Sequence, residues 1–202
     1  LKARIVTALL LILVLLAVVL WLPPAATVVA LTAVALAGAW EWSGFLRTPS
    51  LALRVAFVAL VAVLLPLSWR WSAIESGRDL IMGVAVAWWC VALGWILFAP
   101  RRVTPWTAAL AGVLALVPAW LALMRLRLDL PRGAEWMLFV LILVWVADIG
   151  AFFFGRRFGR RRLAPAVSPG KTWEGVVGGI AVSALFAVGG SGWFEVPLIV
   201  FV

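Results

Sequence analysis

The sequence predicts an all-α, polytopic integral membrane protein with about seven to eight transmembrane helices. Three observations carry that reading. Of 202 residues, 66% are hydrophobic and only 12% are charged, about half the charged share of an ordinary soluble domain. Apolar surface on that scale calls for lipid as its solvent. The apolar residues also fall into runs of near-bilayer length, separated by Pro, Gly and short charged stretches. Finally, tryptophans gather near many run ends (Trp21, Trp69, Trp71, Trp88, Trp106 and Trp136), as an interfacial aromatic belt requires.

The runs cover residues 5–22, 25–46, 51–67, 80–99, 106–124, 134–154 and 176–190, with an eighth beginning at 193. A span takes about 20 residues, within a range of roughly 17–25, so the third and seventh are short. Breakers mark the joints at Pro23-Pro24, Pro49, Ser76-Gly77, Pro100, Pro105, Pro131 and Pro165. The sequence shows no repeat and no soluble insertion, which predicts a single integral membrane domain over residues 1–202. Leu1 in place of Met, and Val202 inside an apolar segment, predict a domain incomplete at its C-terminus.

The net charge of +9 arises from 17 Lys and Arg against 8 Asp and Glu. In a soluble chain this would suggest nucleic acid. Here the cations sit in short loops between apolar runs, where they set topology and attract anionic lipids. With the N-terminus inside, the cytoplasmic set is Lys2, Arg4, Arg47, Arg54, Arg101, Arg102, Arg156, Arg157, Arg160, Arg161, Arg162 and Lys171. The outer set is only Arg70, Arg78, Arg125, Arg127 and Arg132. The imbalance predicts a cell-membrane protein with the N-terminus and the 155–175 loop cytoplasmic. The lone Cys90 excludes an intrachain disulfide, and the absence of His excludes a Cys/His metal site.

Polar residues in this setting are informative. Glu41 near the end of the second run and Asp148 near the end of the sixth are acids at membrane depth, where a charge costs about 2.5–3.5 kcal/mol on insertion scales. Each has a plain alternative, pairing with Arg47 or with Arg156 or Arg157. Five arginines at 156–162 fit a topology signal, and equally an attraction for lipid or nucleotide phosphates. Gly170-Lys171-Thr172 is not a P-loop, because Pro165 stands where that loop needs its first glycine. Ser168-Pro169 instead reads as a helix start, with Ser168 as N-cap, Pro169 in the first turn, and free N–H groups suited to phosphate. Lys171 would add charge there, Thr172 a hydroxyl, and Glu174 an acid that favours the helix dipole or pairs with Lys171. The spacing of Gly175 and Gly179 predicts a close helix–helix contact.

Residues 148–159 and 168–175 resemble the CDP-diacylglycerol synthases, or phosphatidate cytidylyltransferases, whose pattern is close to D-T-G-A-Y-x-x-G-R-x-F-G followed by S-P-x-K-T-x-E-G. Asp148, Gly150, Ala151, Gly155, Arg156, Phe158, Gly159, Ser168, Pro169, Lys171, Thr172, Glu174 and Gly175 match; Ile149 and Phe152 depart from it. The resemblance implies transfer of CMP from CTP to phosphatidate, giving CDP-diacylglycerol and pyrophosphate, in phospholipid biosynthesis. It implies Asp148, Lys171 and Glu174 as catalytic residues, with Ser168, Thr172 and Arg156 binding substrate. It implies Mg2+ as cofactor, its main ligands falling in a C-terminal signature that this sequence lacks, so that the chain alone would be inactive. The implied partners are CTP, phosphatidate and anionic lipids, with room for a homodimer and none for nucleic acid. Two other readings stay open: a CTP-dependent polyprenol or phytol kinase, and a transporter coupled through Glu41 and Asp148.

Overall fold

The computed structural model describes residues 12–46, 50–98, 103–165, 167–197 and 199. A first helix, α1, is described over residues 12–20. It is followed by α2 (Pro24–Trp42), a 3-10 turn (Ser43–Leu46), α3 (Leu51–Trp71), α4 (Glu75–Phe98), α5 (Pro105–Asp129) and α6 (Gly133–Phe158). A two-stranded hairpin, β1 (Arg162–Ala164) and β2 (Ser168–Thr172), then leads into α7 (Trp173–Phe194). Among the described residues six helices, α2 to α7, are long and apolar enough to cross a membrane. The protein is thus a polytopic helical membrane protein. Lys2, Arg4, Arg47, Arg101, Arg102, Pro49 and Pro100 lie outside the described residues.

Several spans are longer than their apolar runs. The third reaches Trp71 rather than 67 because Ser68 Oγ donates back to the Leu65 carbonyl at 2.7 Å, hiding its polarity inside the helix. The fifth carries Arg125 because that guanidinium is fully engaged. It donates to Ser72 Oγ (2.7 Å), the Trp69 carbonyl (3.3 Å) and Asp129 (3.0 Å), and lies 4.1 Å from the Trp69 ring centroid. The seventh extends over Trp173–Phe194 and stops at Glu195, whose φ of 56° is left-handed; its N–H caps Ser191. That stop falls where the sequence predicts the eighth run to begin. Trp88 departs from the belt pattern and lies mid-span in α4.

The chain packs as two units, Leu1–Trp95 with Arg101–Ala134, and Ile96–Pro100 with Glu135–Val202. In the first unit α5 packs on α2 and α3. Its core holds Phe57, Val61, Leu65, Val117, Trp120, Leu121 and Met124. Indole N–H groups stitch this core, Trp42 to the Ala108 carbonyl (2.8 Å) and Trp120 to Thr32 Oγ1 (3.1 Å).

In the second unit α6 and α7 meet along glycines. A Cβ on Gly175 would stand 2.9 Å from the Ala151 carbonyl, one on Gly179 2.9 Å from the Ala147 carbonyl, and one on Gly150 3.1 Å from the Gly178 carbonyl. A Cβ on Gly178 would collide with the Phe154 side chain. The close contact expected of Gly175 and Gly179 is therefore present, and Gly150 and Gly178 extend it. The far end of the pair is closed by stacked rings, Trp136 on Phe194 (3.8 Å) and Phe139 on Phe186 (4.9 Å).

Candidate active site

The hairpin end of α6 and α7 gathers most of the motif residues. The last turn of α6 brings Arg156 and Arg157, favourable at a helix C-terminus. Gly159 N–H donates to the Gly155 carbonyl at 3.0 Å and closes the helix. The chain then enters β1, pairs antiparallel with β2 (Arg162 opposite Thr172, Ala164 opposite Ser168, with an irregular register between) and turns into α7. Arg162 also donates to the Pro169 carbonyl.

Here the structure corrects one sequence expectation. Ser168 is not the N-cap, and neither Pro169 nor Lys171 lies in a helical turn: all three belong to β2. Thr172 is the N-cap, its Oγ1 accepting from Gly175 N–H at 3.2 Å. The reason is local. Pairing with β1 satisfies the 168–172 backbone, Gly170 weakens any helix placed there, and Thr172 offers a good cap four residues later.

Thr172 is buried and ringed by glycines. A Cβ on Gly155 would stand 3.1 Å from its Oγ1, one on Gly175 3.2 Å, and one on Gly159 2.9 Å. The three motif glycines thus make room for one threonine at the joint of two helices.

The Glu174 carboxylate accepts from Arg160 N–H at 3.0 Å and from Arg161 N–H at 3.2 Å. Trp173 N–H donates to the Arg161 carbonyl at 3.0 Å. Neither the pairing of Glu174 with Lys171 nor a set of free N–H groups at the helix start is present. The N–H groups of Trp173 and Gly175 are taken, by the Arg161 carbonyl and Thr172 Oγ1, and the Glu174 carboxylate is held against the Arg160 and Arg161 amides. Arg156, Arg160, Arg161 and Lys171 are exposed, and among the described residues their side chains have no hydrogen-bond or ion-pair partner. Arg157 lies 5.5 Å from the Phe158 ring centroid.

Asp148 is not drawn into this cluster. Because α6 continues to Phe158, Asp148 lies ten residues, about 15 Å, short of the helix end, deeper than the run boundary at 154 predicts. It shares a helix face with Ala151 and Gly155, leading toward Thr172. The expected pairing with Arg156 or Arg157 is absent: among the described residues Asp148 has no hydrogen-bond or ion-pair partner. Glu41, in the other unit, is exposed in the last turn of α2, and its expected partner Arg47 lies outside the described residues. No group of three acids, His or Cys that could hold a metal occurs among the described residues. In the second unit Glu174 is committed to backbone amides and Glu135 accepts from Trp193 (2.9 Å). The described residues of this unit thus supply no three-ligand set for the expected Mg2+, whose main ligands the resemblance assigns to the C-terminal signature.

The sequence overlooked the backbone of Arg160 and Arg161 as a partner for Glu174 and the glycine ring around Thr172. The recurrence of glycine at 155, 159 and 175 beside Thr172 was the available signal.

A family model described as "Cytidylyltransferase family" matches residues 2–200. The chain belongs to that family. A phosphatidate cytidylyltransferase of Haemophilus influenzae is 36% identical over 205 residues, covering 93% of this chain and 71% of the relative. One of Pseudomonas aeruginosa is 39% identical over 185 residues, covering 90% of this chain and 67% of the relative. One of Staphylococcus epidermidis is 46% identical over 54 residues, 27% of this chain and 21% of the relative.

Proposed function

We propose that the protein is a phosphatidate cytidylyltransferase working at the cytoplasmic face of the cell membrane. One observation carries the reading: Arg156, Arg157, Arg160, Arg161, Arg162 and Lys171 crowd one helix junction whose only carboxylate among the described residues, Glu174, is spent on backbone amides. Such a surplus of positive charge suits a multivalent anion. A nucleotide triphosphate supplies one from water, and phosphatidate supplies a second from the bilayer.

In the reaction a phosphate oxygen of phosphatidate attacks the α-phosphorus of CTP. A new P–O bond forms, the bond to the β-phosphate bridge breaks, and pyrophosphate leaves with the electron pair. Lys171 and Arg156 offset the charge that grows on the leaving pyrophosphate. Ser168, on the same strand as Lys171, offers a hydroxyl to a phosphate oxygen. Thr172 acts one step back, fixing the start of α7. Asp148, an unpartnered carboxylate in an apolar span, is the acid on the lipid side of the junction.

The test uses sealed membranes carrying the protein, with phosphatidate and CTP labelled at either the α or the γ phosphate. The expected result is α-label in chloroform-soluble lipid from inside-out vesicles, with γ-label leaving as pyrophosphate. Transfer of γ-label to lipid would make the protein a CTP-dependent lipid kinase. Turnover only in right-side-out vesicles would reverse the orientation.

A further inference from the structure

We propose that Glu174 is a positioning residue whose carboxylate buckles the Arg160–Arg161 backbone onto the start of α7, so that those two guanidinium groups are presented to the triphosphate. The proposal rests on the phosphate-binding reading above and assigns Glu174, Arg160 and Arg161 roles that differ from a catalytic acid and two topology charges.

The peptide between Arg160 and Arg161 and its two neighbours are held from several sides. The N–H of that peptide and the one before it donate to Glu174 at 3.0–3.2 Å, and the Arg161 carbonyl accepts from Trp173 N–H at 3.0 Å. Gly159 lets the chain enter this position, since a Cβ there would strike the Gly155 carbonyl and stand 2.9 Å from Thr172. Topology depends on the count of cations near a membrane span and not on their conformation. Fixed hydrogen bonds on two consecutive arginines, with a glycine making room for them, are more order than counting needs. That order fits binding: holding the backbone beforehand lowers the entropy lost when long side chains close on a ligand.

The same geometry sets Glu174 apart from a base or a metal ligand. Both its oxygens face backbone N–H groups, so its job is that of an acceptor. A glutamine keeps one acceptor oxygen at the same reach without the charge, whereas alanine keeps neither.

The experiment compares Glu174→Gln, Glu174→Ala and the double variant Arg160→Ala/Arg161→Ala in native membranes. Limited trypsin cleavage after Arg160 and Arg161 is mapped by mass spectrometry, and CTP kinetics are measured alongside. Glu174→Ala is expected to be cut there about tenfold faster, as local opening demands, with a rise of about tenfold in KM for CTP and a smaller change in kcat. Glu174→Gln should stay within about threefold of wild type in both readouts. The double variant should reproduce the KM rise, and adding Glu174→Ala to it should change KM little further. If Glu174→Gln is as damaged as Glu174→Ala while the cleavage pattern is unchanged in both, the carboxylate charge acts directly and the positioning role is wrong. An unaltered KM in the double variant would also overturn it. If wild-type membranes transfer no label from CTP, the functional reading fails, whereas the cleavage arm still decides whether the buckle exists.

Discussion

Helices α2, α3 and α5 meet through bulk, whereas α6 and α7 meet through its absence. Phe57, Leu65, Trp120, Leu121 and Met124 fill the first contact, and Gly150, Gly175, Gly178 and Gly179 open the second. Lipid tails are as apolar as leucine, so neither pair is held by hydrophobic force; dispersion, hydrogen bonds and close approach must do it. The bulky contact takes its hydrogen bonds from tryptophan side chains reaching across to α5 and α2. The glycine contact brings two backbones so near that one threonine hydroxyl and one carboxylate can tie a helix end, a hairpin and a helix start together. Chemistry on phosphates depends on placing charges within fractions of an ångström, and the second arrangement is the one suited to it.

The largest expected effect is at the tip of the glycine pair. Lys171→Ala should lower kcat by about a hundred- to a thousandfold, or about 2.7–4 kcal/mol, the loss typical of one donor to a developing oxyanion, with a smaller change in KM for CTP. Steady-state kinetics in membranes with normal protein levels would check this. A comparable loss in Trp120→Phe, in the other unit, would erase the distinction between the regions.

Next comes the seam itself. Gly175→Val places carbon against the Ala151 carbonyl, a backbone atom that cannot swing aside, and should destabilise the protein by about 1–3 kcal/mol as overpacking does. Gly189→Ala, on the same helix but with open space around its Cβ, should be neutral or slightly stabilising. Thermal unfolding in detergent separates them, and equal shifts would deny the seam its special closeness.

The smallest effect belongs to the bulky contact. Trp120→Phe removes the bond to Thr32 while keeping most of the ring, and should cost about 0.6 kcal/mol, the usual worth of one interhelical hydrogen bond in a membrane protein. A chemical denaturation series would measure it.

The spans were legible because a run of about 20 apolar residues has few fates other than crossing a bilayer. Their ends were less so. Ser68 and Arg125 look like stops until their partners, the Leu65 carbonyl and Ser72 with Asp129, are seen. The hairpin was hidden because strands of three and five residues carry no readable period, while Ser168-Pro169 imitates a helix start. The partners of Glu174 were hidden for a different reason. They are backbone amides 13 and 14 residues away, and amides have no letter in a sequence. Arg160 and Arg161 were indistinguishable from their neighbours for the same cause. The glycine contact was half visible: Gly175 and Gly179 have the spacing of a packing face, but nothing in the sequence tells that Gly155 and Gly159 close around Thr172.

Whether the α6–hairpin–α7 junction binds the nucleotide can be measured directly by photo-crosslinking a reactive CTP analogue to the membrane-embedded protein and mapping the attached peptides. Label confined to residues 156–174, displaced by excess CTP and reduced in Arg160→Ala/Arg161→Ala, is the expected result. Displaceable label confined to the unit of α2, α3 and α5, with none between 156 and 174, would contradict it.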